Sequence, residues 1–379
     1  MDGSPARVTL KAFAWSPLYD WGEAVEFDAP VAETLSPTTK PDYLYDPDGP
    51  SAKKAPDGLD EFGWRKVGPR FVTERRRLTI LHDVSVLRRS LGRDRWHVVL
   101  DNGIVASDSY HDGEWLGAHI GETVRLGLQD GPTLTANIMD DAPIDAKVRA
   151  PAVLISHFWA ENYAHTLLET ASRFWAYEEC PEMAAFPVVW ETNRPWQKEI
   201  AEWLCPGKAK PLPANHVRFE TLYVPSFYSQ IGASQASVQW LRGRFGAPDQ
   251  PGKRRIYVTR ADATERRVVN ENDVLEILAP MGFETVMLTG MSVAEQRDLF
   301  RDAEIVVMPH GAGCANMIFA GAGTKIVEFV PRSYQHHMFQ HIAKWSGHWY
   351  GRVICLDGAN KDMTVDLKVL RTALNAACA

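Results

Sequence analysis

The chain has 379 residues, 45% of them apolar and 23% charged, the balance of a soluble globular protein long enough for two domains and for a core that needs no metal or disulfide staple. Its formal charge of −7 lacks the basic excess that nucleic-acid binding requires, so no nucleic-acid partner is expected. Five cysteines at wide spacings, with no CxxC pair, argue against a disulfide framework or a zinc knuckle and fit a reducing compartment.

The N-terminus Met1-Asp2-Gly3-Ser4-Pro5 has neither a basic n-region nor an apolar h-region, and no run approaches the roughly 18 apolar residues of a spanning helix. A cytoplasmic protein is expected, with peripheral contact at the inner membrane as its one membrane role. Residues 1–70 are rich in proline, aspartate and aromatics and read as an irregular arm packed through Trp15, Trp21, Phe27 and Trp64. Residues 71–150 read as β-rich, with Asn102-Gly103 between two apolar runs signalling a hairpin.

From Ala152 the pattern alternates. Ala152–Ile155 is a predicted strand. Asn162–Glu179 is a predicted helix whose Leu167, Leu168, Ala171, Phe174 and Trp175 recur at helical spacing. Strands over Pro187–Trp190 and Thr221–Val224 flank a helix near Trp196–Leu204, the signature of βα units. Gly246–Gly252 is the best linker candidate. Beyond it a Rossmann-like series is predicted: strand Arg255–Arg260, helix Asn270–Ala279 stopped by Pro280 and Gly282, strand Glu284–Leu288, and helix Ser292–Arg301 opened by a Ser292/Glu295 capping box. Strands Glu304–Met308 and Lys325–Val330 follow, then a final helix over Leu367–Ala377. The domain reading is an arm at 1–70, a domain at 71–245, a second at 253–350, and a strand and helix at 351–379 packing back on the body.

The sharpest motif is Pro309-His310-Gly311-Ala312-Gly313-Cys314-Ala315-Asn316, which follows a buried strand and opens a short helix. Small residues let the backbone approach a ligand, and the free N–H groups of a helix start attract phosphate. A tight strand-to-helix turn without a ligand is the alternative. The dinucleotide fingerprint fails because Asn316 replaces its third glycine. The P-loop fails because five residues separate Gly246 from Gly252 and Arg254 follows Lys253. No G-x-S-x-G elbow is present. Arg260, at a strand end, is placed to clamp a diphosphate, while Arg266 is as well explained by surface charge. Glu328, near the end of the last parallel strand, could accept two ribose hydroxyls or pair with a nearby base. Asp46-Pro47-Asp48 is the one Asp-x-Asp spelling and lies in the arm; His337 and His341 share a helix face but lack the zincin glutamate. No metal site is expected.

Together these residues resemble glycosyltransferase family 61. The resemblance rests on Tyr257-Val258-Thr259-Arg260, Arg267-x-x-Asn270-Glu271, Gly282-Phe283, Ser292, Glu295-Gln296, Phe300, Ala303, His310-Gly311-Ala312-Gly313, Asn316, Phe319 and Ile326-Val327-Glu328, with a second match at Asn162-Tyr163-Ala164-His165, Leu167-Leu168-Glu169 and Arg173-Phe174. Glu169 stands where the family often has Asp, and Cys314 where it has a Leu-type residue. The resemblance implies an α/β fold of GT-B type: two Rossmann-like domains facing a cleft, with a β-rich, irregular N-terminal extension. It implies an inverting transfer from a nucleotide-sugar, UDP-linked by preference, to a glycan or lipid-linked acceptor in capsular or related polysaccharide biosynthesis. No cofactor beyond the donor is implied.

On that reading the C-terminal domain holds the donor through Arg260, Arg267, His310, Gly311, Ala312, Gly313, Asn316 and Glu328. His310 donates a hydrogen bond to the leaving group, and Glu328 binds the ribose. On the acceptor side stand Asn162 and three candidate bases, Glu161, His165 and Glu169, whose i, i+4 spacing puts them on one helix face. The rivals are a non-catalytic carbohydrate- or nucleotide-sugar-binding relative and an NAD-dependent sugar-nucleotide enzyme. Arg75–Arg77, Arg88, Arg89, Arg93 and Arg95 form a basic cluster, read either as a solvated face or as a contact to anionic lipid headgroups or a lipid-linked acceptor. Trp159, Trp175 and Trp349 are candidate sugar platforms.

Overall fold

A computed structural model of the chain describes residues 23–26, 43–45, 77–91, 94–101, 104–105, 127–128, 132–133, 144–156, 161–225, 235–334 and 338–379. The chain divides into two compact units, Met1–Ala29 with Glu74–Gln230 and Pro30–Thr73 with Ile231–Ala379. The first described strands, β1 (Glu23–Glu26) and β2 (Tyr43–Tyr45), therefore belong to different units. The tryptophans named for the arm, and Asp46 and Asp48, lie outside the described residues.

The first unit is built on one mixed sheet. Its strands are β1, β3 (Arg77–Leu91), β4 (Asp94–Asp101), β5 (Ile104–Val105), β8 (Ala146–Val148), β9 (Ala152–Leu154), β10 (Val188–Val189), β11 (Ala209–Lys210) and β12 (His216–Pro225), while β6 (Gly127–Leu128) and β7 (Pro132–Thr133) form a separate hairpin. The order β11-β10-β9-β12 is parallel, and β12-β3-β4-β5 continues it antiparallel. Asp101 pairs with Ile104, so the hairpin forms where Asn102-Gly103 signals it. The β-rich stretch and the βα stretch thus share one sheet rather than forming an extension and a Rossmann half. Its core lies on Leu81, Val84, Val86, Leu154, Phe219 and Leu222.

A helical run over residues 163–179, α1, docks at the end of β9, where the Arg173 guanidinium donates to the Ile155 carbonyl at 3.2 Å. Leu167, Leu168, Ala171, Phe174 and Trp175 are all buried, as the spacing predicts. Trp175 is therefore core, not a sugar platform; Trp159 lies outside the described residues. Helix α2 (Pro195–Leu204) follows. Arg88 is bound within the unit as well, its guanidinium donating to Glu191 at 2.8 Å against a fully buried carboxylate. This removes Arg88 from the basic cluster read as a lipid contact.

The second unit carries helices α3 (Gln235–Arg244), α4 (Glu271–Leu278), α5 (Val293–Arg301), α6 (Met338–Trp345) and α7 (Leu367–Cys378) around strands β13 (Arg254–Val258), β14 (Phe283–Val286), β15 (Ala303–Pro309), β16 (Lys325–Pro331), β17 (Trp349–Asp357) and β18 (Met363–Thr364). The order β14-β13-β15-β16-β17 is parallel throughout. Counted from β13 this is 2-1-3-4-5, a doubly wound order that reverses between β13 and β15; ligands of such sheets bind at that reversal, beyond the strands' carboxyl ends. The expected Rossmann-like series is present here.

Local chemistry explains the element ends. Ser292 Oγ accepts from the Glu295 N–H at 3.1 Å, and Glu295 accepts from the Ser292 N–H at 2.7 Å, completing the capping box. Gly282, at φ 80°, ends α4 and its 3-10 extension in the left-handed region that glycine enters without strain. Val274, Ile277 and Leu278 of α4 and Leu370, Ala373 and Leu374 of α7 cover Val307, Phe329 and Val353 of the sheet, with Trp349 packed against the same core.

The Gly246–Gly252 stretch is not a free linker. Ala322 N–H bonds to the Pro248 carbonyl and Gly252 N–H to that of Ala303. A Cβ at Gly321 would lie 1.8 Å from the Gln250 carbonyl oxygen, so glycine is required for this strap to lie flat. Helix α3, whose residues lie in the domain expected at 71–245, falls in the second unit. There the Arg242 guanidinium bonds the carbonyls of Ile318 and Ala320 at 3.0 and 2.8 Å. Among the described residues no helix is long and apolar enough to cross a membrane.

Candidate functional site

In the second unit, a pocket of about 420 Å³ opens at the sheet's topological reversal. Thr259 and Arg260 after β13, Leu288 and Thr289 after β14, and Pro309, Gly313 and Cys314 at the end of β15 line it, with Asp262–Glu265 forming its outer wall. Tyr257 and Thr259 each donate a hydroxyl hydrogen bond to one oxygen of Glu271 at 2.7 Å, which fixes the end of β13. Asn270 pairs by its amide with both backbone groups of Val365. Both residues of the Asn270-Glu271 pair are thus structural.

Arg260 is the pocket's principal cation. One guanidinium nitrogen donates to the Glu265 carbonyl at 3.1 Å, while Nε is buried without a partner. Burial, and then the charge of Arg266, pull its pKa below the ordinary arginine value. An arginine so placed can receive an anion at low further cost, since part of its desolvation is already done and a buried donor is left over. Gly311 allows that placement. Its backbone is extended at φ 170°, so any residue could adopt the conformation, but a Cβ there would sit 2.1 Å from Arg260 Nη1. Ala312 then begins a 3-10 helix, Ala312–Phe319, and Gly313 packs so closely on Leu288 that its Cβ would lie 2.8 Å from Leu288 Cδ1.

The two arginines after Arg260 are placed differently from each other. Arg267, expected at the donor, is exposed and tied to Asp362 by its backbone N–H at 2.9 Å and by its guanidinium at 2.7 Å. Arg266, which sequence left as surface charge, adopts φ 59°. Its Nε is buried without a partner, and its charge acts on Arg260 and on Cys314. Arginine seldom takes a left-handed backbone, so sequence carries no signal for this turn.

Glu328 is not presented to a ribose. It is fully buried, accepting from Tyr350 Oη and lying 2.5 Å from His310 Nδ1. With Nδ1 bound to this carboxylate, the His310 ring is fixed in tautomer and orientation at the end of β15. Asn316 is buried and donates to Gln296 at 2.8 Å, so it joins the 3-10 helix to α5 rather than facing the pocket. His341 and His348 are buried with pKa values depressed by that burial to about 4; both are neutral structural residues. His337 lies outside the described residues, and these contain no carboxylate, cysteine and histidine group suited to a metal.

In the first unit, Asn162 is the N-cap of α1, its side-chain oxygen accepting from Ala164 N–H at 2.9 Å. Of the three candidate bases, the structure pairs two. His165 Nδ1 lies 3.0 Å from a carboxylate oxygen of buried Glu169. Burial works against charge on His165, but the Glu169 charge and hydrogen bond outweigh it and raise the pKa. Glu161 is instead held by Asn193 at 2.9 Å and Arg194 at 3.4 Å. The turn carrying the pair is wide, with Ala171 N–H reaching back to the Thr166 carbonyl. Such π-type turns inside helices are frequent where function bends regular structure.

Comparison with known proteins finds the family model described as Glycosyltransferase 61 over residues 163–327. This interval begins in α1, includes the pocket residues, and stops one residue short of Glu328. A β-1,2-xylosyltransferase of Arabidopsis thaliana is 28% identical over 151 residues, which cover 36% of this chain and 26% of that protein. The chain thus matches about a quarter of its relative's length. Residues 163–327 of this chain are thus similar to glycosyltransferase family 61.

Proposed function

We propose that the chain is an inverting glycosyltransferase of GT-B type, moving a sugar from a UDP-linked donor to a hydroxyl of a glycan or lipid-linked saccharide in polysaccharide biosynthesis. The observation that carries this reading is the pocket at the strand-order reversal, with a half-buried, incompletely bonded Arg260 seated against Gly311. In the transfer the acceptor oxygen forms a bond to the sugar's anomeric carbon. The bond from that carbon to the diphosphate oxygen breaks, and its electron pair leaves with the nucleoside diphosphate. Arg260 and Arg266 receive that charge in a partly desolvated site, where each interaction counts for more than in water. The acceptor proton goes to His165, which Glu169 orients and makes more basic.

Binding and hydrolysis across UDP-, GDP-, CMP- and dTDP-sugars, in EDTA and in Mg²⁺, test the proposal. The activity named for the Arabidopsis relative puts a xylosyl donor in the panel. One donor bound and turned over in EDTA is the expected result. Binding without turnover toward any acceptor would favour a non-catalytic relative, and a folded protein that binds none of the panel would end the donor reading.

The pH profile tests the base. A raised pKa places the acid limb of kcat/KM above the ordinary histidine value of about 6.5. Since Glu169 is what raises it, Glu169→Gln should move that limb to lower pH and reduce the plateau rate, while His165→Ala should remove the limb with most of the rate. An unmoved limb in Glu169→Gln would assign the base elsewhere.

A further inference from the structure

The loop over residues 358–363 has no part in the reading above, yet it is joined to the arginine loop along its length. Arg266 N–H bonds to the Asn360 carbonyl at 3.0 Å, Met363 N–H to that of Arg267 at 2.7 Å, and Val269 N–H to that of Met363 at 2.8 Å. Asp362 grips Arg267 from the side and feels the charge of Arg260. Asn360 and Lys361 both adopt left-handed backbone, at φ 58° and 57°. Consecutive non-glycine residues of this kind are costly and persist only where surrounding contacts impose them. The result is specific: Lys361 Nζ stands 4.0 Å from the centroid of the Tyr334 ring, and the Arg266 guanidinium 5.4 Å from the same centroid. The Tyr334 ring meets His310 edge-on at 5.7 Å.

We propose that Lys361 is a further ligand of the donor's phosphates, held with Arg266 on Tyr334 until the anion arrives. The proposal rests on the donor reading above. Cation–π contact is a weaker tie than a charge-assisted bond to a phosphate oxygen, so both half-buried groups can leave the ring for that partner. Arg267 is neutralised by Asp362, and Glu265, 3.0 Å from Arg266, offsets part of one charge. Arg260, Arg266 and Lys361 then supply the positive charge that a diphosphate calls for, and the Tyr334 ring holds Arg266 and Lys361 beside one another. Tyr334 and Lys361 both lie beyond the 163–327 family match.

Calorimetric titration of the full chain with UDP, UMP and inorganic pyrophosphate decides this, using Lys361→Gln and Arg260→Ala with thermal melts as a check on folding. Lys361→Gln should weaken UDP and pyrophosphate about tenfold, the worth of one charged hydrogen bond, and UMP less than twofold. Tyr334→Leu, which removes the ring but no charge, should weaken the same two ligands by a smaller factor. UDP and pyrophosphate affinities within twofold of the parent's in Lys361→Gln, beside a clear loss in Arg260→Ala, would overturn the Lys361 role and leave the donor site standing. A parent that binds none of the three ligands would end both readings.

Discussion

Arg260→Ala should reduce kcat/KM for the donor identified in the panel by 100-fold or more, about 3 kcal/mol of transition-state stabilisation, while leaving the melting temperature near that of the parent. On the proposed reading the effect is large because the residue meets charge that develops only as the diphosphate departs. The protein loses little, because Arg260 makes one hydrogen bond to a carbonyl and leaves a second donor unused. The sharper variant is Gly311→Ala. Its extended backbone accepts alanine, so no conformational penalty arises from φ and ψ. The added carbon would sit 2.1 Å from Arg260 Nη1, and the guanidinium must move. Gly311→Ala should therefore lose nearly as much activity as Arg260→Ala although it removes no functional group. The double variant should be little worse than either single one, since both act through the same contact. Additive losses in steady-state kinetics would mean that Gly311 serves the donor in a way independent of Arg260.

Much of this site is legible in sequence because its signals are local. A Ser292/Glu295 box, a glycine after α4 and a Gly-rich turn after an apolar strand each act within a few residues, and each forms where it is expected. The alternation of strand and helix after residue 253 fixes a parallel sheet for the same reason. What sequence does not carry is choice between neighbours. Arg266 and Arg267 are adjacent and chemically alike; a single left-handed residue sends one toward Arg260 and leaves the other to Asp362, 95 residues away. Long-range partners are equally silent. Arg242 belongs to the second unit because it bonds carbonyls 76 and 78 residues distant. The mixed sheet of the first unit follows from β12 pairing with β3 across well over a hundred residues, a match that no periodicity announces. The Asn162–Glu179 pattern predicts a helix correctly, but apolar spacing cannot reveal the wide turn that holds His165 against Glu169.

Glu328 shows the same limit, and it separates the two readings of that residue by experiment. A carboxylate near the end of a parallel strand suits a ribose, whereas the structure encloses it between His310 and Tyr350 with no exposed surface. Tyr350 lies 22 residues further on in β17, brought alongside by the register that pairs Glu328 with Arg352 and Ile326 with Tyr350. Removal of the acid takes a buried acceptor away from two buried groups, His310 and Tyr350. Glu328→Ala should lower the free energy of unfolding by about 3 kcal/mol, and Tyr350→Phe by about 1–2 kcal/mol, read from urea midpoints at constant slope. Tyr350→Phe keeps His310 on its acceptor, so donor affinity should stay within a few-fold of the parent's. A ribose ligand would behave in the opposite way: Glu328→Gln and Glu328→Ala would weaken nucleoside binding strongly and leave the urea midpoint almost unchanged. The buried arrangement also sets an order of loss on titrating urea against the two variants, stability falling before affinity. That order is expected because this acid is enclosed between His310 and Tyr350 with no surface of its own.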